Sequence, residues 1–287
     1  MGLAIGVSLP TAGDRISDVA GVAAAAEAAG FDSLWVGDHL ADGRPILDCT
    51  IALAVAAAVT SRVRLGFGVL QAALRPPAWV AKQVGTLQYL SGHRVELGIG
   101  IGGSVPDEWA AAGVPLAERA RRTDRLLALL PDLLTGKPTR LNGVEIALSP
   151  PVPPPPLWIG GDSNGALRRA GTYGAGWLAA VTSPGRIAEA VVELSAFPAP
   201  PKVGCVVFAA GGGNRRELAD FLSSRLGLTP ASAAETAVAG TPGEMAEQLS
   251  RYVAAGVEHL VLTPFGPGRQ AQFEMFAEVR RRLLTLT

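Results

Sequence analysis

The chain has 287 residues, 48% hydrophobic and 17% charged, which is enough apolar content to fold densely as one large domain or two small ones. Lysine plus arginine and aspartate plus glutamate balance at 25 each, so the net charge of zero provides no field to gather nucleic acid or an acidic lipid surface. Cys49 and Cys205 sit in apolar surroundings without CxxC spacing, which excludes a disulfide framework and a zinc site and leaves buried reduced thiols.

Met1 to Leu9 lacks the basic stretch and long apolar run of a signal peptide, and the apolar run Thr50 to Val59 is too short to span a bilayer. A cytoplasmic protein without membrane contact is expected. Short apolar runs then alternate with helical patterns. Leu3 to Leu9 reads as strand 1, followed by an alanine-rich helix from Ile16 to Ala29 that Gly30 closes. Ser33 to Gly37 is strand 2, Leu47 to Thr60 a helix capped near Asp48, and Val63 to Val69 strand 3. A helix opens after Pro76-Pro77, as proline permits in a first turn, with Val80, Val84 and Leu87 on one face.

Val95 to Ile101 is strand 4, and helical patterns cover Asp107 to Ala112 and Leu116 to Leu134. Within Thr139 to Leu148, Asn142-Gly143 predicts a hairpin inserted on a rim. The stiff Pro150 to Pro156 segment leads into strand 5, Leu157 to Gly160. A helix Ala166 to Tyr173, strand 6 from Gly176 to Val181 and a helix Pro184 to Ser195 follow. Strand 7 is Val203 to Ala210, helices cover Arg215 to Leu226 and Pro242 to Ala255, strand 8 is His259 to Thr263, and the last helix is Gln270 to Leu284. Eight strand–helix repeats point to an α/β fold, a closed (β/α)8 TIM barrel, in preference to an open doubly wound sheet. The barrel is read as a single domain over residues 1–287 with a rim insertion after strand 4.

Barrels of this kind place their chemistry where the strands end. Strand 2 ends in Asp38-His39, an adjacent acid–imidazole pair: the imidazole can move a proton near neutral pH and the carboxylate can orient it. The plainer alternative is a capping aspartate beside a loop histidine. Strands 3 and 4 end in Gly66-Phe67-Gly68-Val69-Leu70 and Gly98-Ile99-Gly100-Ile101-Gly102-Gly103-Ser104. Alternating glycines add nothing to packing unless something approaches the backbone, so a planar ring across the barrel mouth accounts for them; tight strand packing is the alternative. Gly98-x-Gly100 also matches part of a dinucleotide fingerprint, but a fourth barrel strand is the wrong context for it.

Gly160-Gly161-Asp162-Ser163-Asn164-Gly165 opens a helix, where backbone amides and the helix amino terminus suit a phosphate and Asp162 would cap the helix facing outward. Trp79, Trp158 and Trp177 read as packing residues, whereas Trp109, just beyond strand 4, is a candidate substrate wall. His93 and His259 precede or begin strands, away from the catalytic face, and are assigned structural duties. Arg119, Arg121, Arg122 and Arg125 form either a solvated helix face or an anion-recognising rim; Arg280 to Arg282 read as a solvated face.

Together these motifs resemble the bacterial luciferase-like monooxygenase superfamily over nearly the whole chain. The resemblance rests on Ala28 to His39, on Arg75-Pro76-Pro77 before Ala81-Lys82-Gln83, and on Leu90 to Gly100. It continues through Gly113-Val114-Pro115 with Glu118-Arg119, then Leu157 to Gly161, Gly176-Trp177, Gly240-Thr241-Pro242 and Ala255-Gly256-Val257. It implies a barrel that binds the deazaflavin coenzyme F420 or FMN. Asp38 and His39 would lie by the ring, and a non-proline cis peptide near Gly68, Val69 and Leu70 would lie behind it. Ile101 and Gly102, with Gly160, Gly161 and Asp162, would line the ribityl chain and phosphate. Gln88 and His93 depart from the family pattern, which has aspartate and glycine there. Gly103-Ser104-Val105-Pro106 is shorter and less polar than in sugar-phosphate-oxidising relatives, which argues against a phosphosugar; besides Asp38 and Glu108 no acid is well placed for alcohol oxidation.

The expected activity is F420-dependent hydride transfer to or from a small, fairly apolar substrate, without a metal. An FMN-dependent monooxygenase is the first alternative and a non-catalytic flavin-binding barrel the second. Both rings are planar and both tails begin with a ribityl phosphate, so the residues do not separate the coenzymes. The alanine-rich, arginine-over-lysine composition, suggesting a high-GC organism, favours F420. Relatives often dimerise through helices on one barrel side, which leaves a homodimer open.

Overall fold

The computed structural model describes residues 2–13, 18–41, 43–103, 105–266 and 269–286. Its first elements are β1 (Ala4–Ser8), α1 (Val19–Ala28), β2 (Ser33–Val36), α2 (Cys49–Val59), β3 (Arg64–Leu70), α3 (Pro77–Leu90), β4 (Val95–Ile99), α4 (Pro106–Ala111) and α5 (Arg119–Leu134). A hairpin of β5 (Thr139–Leu141) and β6 (Val144–Ile146) precedes β7 (Leu157–Gly160), α6 (Asn164–Tyr173), β8 (Gly176–Ala180), α7 (Pro184–Leu194) and β9 (Lys202–Gly211). The remainder is α8 (Arg215–Leu226), α9 (Pro230–Thr236), β10 (Val238–Gly240), α10 (Pro242–Ala254), β11 (His259–Pro264) and α11 (Arg269–Leu286).

The main sheet runs β10-β9-β11-β1-β2-β3-β4-β7-β8, and a further parallel pairing of β8 with β9 closes eight strands into a (β/α)8 barrel. The eight predicted strands are these eight; β7, β8, β9 and β11 are the fifth to eighth. The short β10 beside β9 and the helix α9 before it are additional to the predicted pattern. Ile16, where the first helix was expected to begin, and Ser104 lie outside the described residues.

The chain packs as two compact units, residues 1–9, 25–35 and 161–287 in the first and residues 10–24 and 36–160 in the second. In the first, β1 lies parallel to β11 with Ala4 opposite His259. The buried Trp35 indole donates to Ser33 Oγ at 2.7 Å, and Ser33 Oγ lies 2.7 Å from His259 Nε2. Trp35 also meets the His259 ring edge-on at 5.4 Å, so His259 has the structural role expected of it. A Cβ on Gly6 would collide with Ser33, so glycine is required for β1 to approach β2 there.

In the second unit, α2 is capped by Asp48, whose carboxylate accepts from the Ile51 N–H at 3.0 Å. Its other end has no basic residue in the last turn; the buried Arg94, outside the helix, donates instead to the Ala57 and Thr60 carbonyls at 3.0 and 2.9 Å. His93 has φ 65, a left-handed conformation natural to glycine and tolerated by histidine better than by most residues, which accounts for its standing where the family has glycine. Gln88 keeps an acceptor for the Val95 N–H at 3.0 Å, as an aspartate would, and adds a donor to the Pro153 carbonyl at 3.1 Å. The predicted hairpin turns at Asn142 (φ 49) and Gly143 (φ 87), both left-handed as a two-residue hairpin loop requires. Trp79 departs from the packing role read for it, standing 63% exposed on α3 because the apolar stripe of that helix turns Val80, Val84 and Leu87 inward instead. Among the described residues no helix is long and apolar enough to cross a membrane.

Candidate active site

Within the second unit, the residues that follow β2 meet the ends of β3 and β4. Asp38 is buried at 3% exposure, and its carboxylate is surrounded by donors. Arg75 Nη1 and Nη2 reach it at 2.6 and 2.9 Å, the Gln71 N–H at 2.9 Å and the Cys49 thiol at 3.4 Å. Burial works against the Arg75 charge, but the hydrogen bond and charge of Asp38 outweigh it and hold the guanidinium above its ordinary pKa. Burial, and then the charge of Asp38, push the Cys49 thiol upward, so it stays a neutral donor. A carboxylate saturated in this way holds its loop in place.

His39 has different partners. Its Nδ1 lies 3.2 and 3.3 Å from the two carboxylate oxygens of Glu108, which α4 presents fully buried. The Ala41 N–H donates to Glu108 Oε1 at 2.9 Å and keeps the carboxylate turned toward the imidazole. Gln71 Nε2 donates to the Asp38 carbonyl at 2.6 Å and lies 3.1 Å from the same Nδ1. That carbonyl can only accept, which assigns the Gln71 amide nitrogen to its side. A hydrogen bond to a carboxylate is roughly twice as strong as a neutral one, so the tautomer assigned to His39 carries its proton on Nδ1, donated to Glu108. Its Nε2 has no hydrogen-bond partner among the described residues, and the side chain is 33% exposed.

The expected cis peptide is Gly68–Val69, at a register shift between Phe67 and Leu70. The Val69 side chain lies among glycines. A Cβ on Gly100 would lie 2.6 Å from Val69 Cγ2, one on Gly160 would lie 2.7 Å from Cγ1, and one on Gly98 would collide with the Phe67 carbonyl. The alternating glycines of β4 therefore make room for Val69 and the β3 backbone, which is tight strand packing and corrects the reading that a ring bares them. Gly102 (φ 84) is tied too, since a Cβ there would lie 2.5 Å from Gln71 Oε1 and 2.7 Å from Trp109 Cζ2. Trp109 is buried against Ala73, Leu74 and Val114, with its indole nitrogen donating to the Gly103 carbonyl at 3.1 Å. Leu70 is buried and Ile101 half-buried.

Open backbone lies elsewhere. Gly37 is exposed, with only the Gly68 carbonyl, at 3.8 Å, near a Cβ placed on it; Gly103 is exposed with nothing within 4 Å. Gly68 and Val69 are themselves half-buried. Side chains at Gly37 and Gly103 would cover backbone that glycine leaves open, and Gln71 Oε1 is a buried acceptor without a partner. These features fit a flat heteroaromatic ring.

In the first unit Gly161 has φ 108, and Ser163 caps α6 by accepting from the Ala166 N–H at 3.2 Å. The cap is therefore Ser163 and not Asp162, whose carboxylate pairs instead with Arg186 Nη2 at 3.1 Å. Trp177 Nε1 donates to the Gly161 carbonyl at 2.7 Å and supports the loop. Of the residues expected at the site, Asp38, His39, Gly68, Val69, Leu70, Ile101, Gly102, Trp109 and Gly160 belong to the second unit, and Gly161 and Asp162 to the first. The structure adds Gln71 and Arg75 and pairs Glu108 with His39.

The model of the luciferase-like monooxygenase family matches residues 3–209. The chain belongs to this family. It is 35% identical over 183 residues to an uncharacterized protein of Mycobacterium tuberculosis, covering 55% of this chain and 63% of that one. It is 32% identical over 188 residues to 4-hydroxyprotoasukamycin monooxygenase of Streptomyces nodosus subsp. asukaensis, covering 58% and 47%. It is 36% identical over 167 residues to the F420-dependent glucose-6-phosphate dehydrogenase of Beutenbergia cavernae, covering 53% and 49%. The matched stretch thus spans less than two thirds of these relatives. An F420-dependent secondary alcohol dehydrogenase, solved with an F420-acetone adduct, superposes with a TM-score of 0.83 at 19% identity over 99% of each chain, a likeness of fold. The FMN complex of the oxygenating constituent of 3,6-diketocamphane monooxygenase from Pseudomonas putida does so with a TM-score of 0.76 at 13% identity, over 99% of each chain.

Proposed function

We propose that this luciferase-like oxidoreductase uses the deazaflavin coenzyme F420 to move a hydride to or from a small, fairly apolar substrate, with His39 and Glu108 handling the proton. The observation that carries the proton assignment is the His39 Nδ1–Glu108 contact at 3.2 Å, which leaves Nε2 without a partner among the described residues on a one-third exposed side chain. When bound, the coenzyme would supply or take the hydride. The residues of the second unit that would hold it are Gly37, Gly68, Val69, Ile101, Gly102 and Gly103 around the ring and ribityl chain, with Gly160 toward the phosphate.

In the oxidative direction His39 Nε2 takes the hydroxyl proton of the substrate, and the Glu108 carboxylate stabilises the imidazolium that results. In the reductive direction the same Nε2 returns it. Asp38, gripped by Arg75, acts as a positioning residue for the loop that carries His39. Trp109 bounds the substrate space from behind Gly102. A second reading, an FMN-dependent monooxygenase, is supported by the Streptomyces relative, whose name gives it as a monooxygenase without stating its cofactor.

F420 reduction assayed against short secondary alcohols, and reduced F420 against the matching ketones, tests the proton assignment. His39→Ala is expected to lower turnover by about 10²–10⁴-fold, and Glu108→Gln to lower it less while moving the histidine limb of the pH profile. Unchanged turnover in a folded His39→Ala protein would overturn the assignment.

A further inference from the structure

Apart from the His39 site, the second unit contains a cavity of about 430 Å³ between the start of α3, α5 and the β5–β6 hairpin. That volume lies within the range of small-molecule sites, about 300–1,000 Å³. Its wall is mainly apolar, including Pro77 and Ala78 of α3 and Val144 and Ile146 of β6, and Val144 is 60% exposed. Its polar lining is Arg75, Arg122, Arg125 and the neutral Asn142, with no carboxylate among the described lining residues.

The three cations differ in what they have left to give. Arg75 is already held by Asp38. Arg122 donates its Nε to the Ala73 carbonyl at 2.9 Å, which leaves both terminal nitrogens without a partner among the described residues. Arg125 makes only a long 3.4 Å contact with Asn142 Oδ1. Among the described residues neither Arg122 nor Arg125 has a carboxylate partner, whereas the neighbouring Arg121 pairs with Glu118 at 2.8 Å. Two uncompensated guanidiniums beside an apolar wall complement a ligand with one anionic end and an apolar body. An inorganic anion would leave the wall unused, and a neutral apolar molecule would leave the guanidiniums unused.

We propose that this cavity is a binding site for a small amphipathic organic anion, an alkyl carboxylate whose head meets Arg122 and Arg125 and whose chain covers Val144 and Ile146. Guanidinium suits the planar carboxylate because it can offer two parallel donors. The site is independent of the coenzyme assignment above.

Calorimetric titration of the full chain with octanoate, acetate and 1-octanol at low ionic strength tests it. Octanoate is expected to bind with one-to-one stoichiometry, at least about tenfold tighter than either acetate or octanol, and an Arg122→Gln/Arg125→Gln variant of unchanged Tm to weaken it by a similar factor. Val144→Asp, which places a carboxylate at the wall, is expected to do the same. The proposal is overturned if octanoate shows no saturable binding, if octanol binds equally well, or if both variants leave octanoate affinity unchanged. It is also overturned if the variants alter the oligomeric state of a protein that binds no octanoate, since the cavity would then be covered by a second copy of the chain.

Discussion

Asp38 and His39 are adjacent and both meet Gln71, yet Arg75 holds the Asp38 carboxylate while Glu108 meets the His39 imidazole. The Asp38 carboxylate is paired with Arg75, whose side chain is 22% exposed, while the side chain of Asp38 is 1% exposed. Arg75→Met would strand that carboxylate, and breaking such a pair typically costs about 3–5 kcal/mol. Thermal unfolding should show a Tm lowered by several degrees; an unchanged Tm would mean the pair does not hold the loop. Gly100→Ala would drive a methyl against Val69 Cγ2 and is expected to destabilise by about 1–3 kcal/mol. Val69→Ala in the same chain should recover part of that loss, a non-additivity read from denaturant unfolding of the two singles and the double. The acid–imidazole pair was legible because it is local. Its partners were not, since Gln71, Arg75 and Glu108 stand 33, 37 and 69 residues from the groups they hold, and no short-range pattern records such distances.

At the scale of elements, caps and turns largely follow local rules. Asp48 caps α2, Asn142-Gly143 turns the hairpin, and prolines open α3, α7 and α10, all as their sequence positions suggest. Asp162, expected to cap α6, pairs with Arg186 instead, and the neighbouring Ser163 caps the helix. The three-residue β10 is too short to show a period, and its pairing with β9 defines it as a strand. The capping box of α10 gives a pH test: Glu244 accepts from the Thr241 N–H and Oγ1 at 2.8 Å each, which lowers its carboxyl pKa. A depressed folded-state pKa adds stability above the ordinary glutamate value, and that stability is lost as pH falls through the folded value. The Tm gap between the natural chain and Glu244→Gln should therefore be widest near neutrality and close on acidification. A gap that stays constant with pH would contradict this.

For the whole molecule, the regular alternation of apolar runs and helical stripes was enough to read eight barrel strands, with ends within a few residues of those observed. Closure followed from the number of repeats, and the β8–β9 pairing shows it. The glycines at the ends of β3, β4 and β7 have a reason only partly read from sequence. Gly100 and Gly160 make room for Val69 and Gly98 for the Phe67 carbonyl, whereas the exposed Gly37 and Gly103 leave backbone open. A side chain turned inward from a neighbouring strand leaves no trace in the local pattern. The central claim, a deazaflavin lying on that open backbone beside His39, is tested most directly by titrating the purified chain with F420 and, separately, FMN while following absorbance and fluorescence. Saturable F420 binding, tighter than FMN binding, is the expected result. Tight FMN binding without F420 binding, or no binding of either, would contradict it.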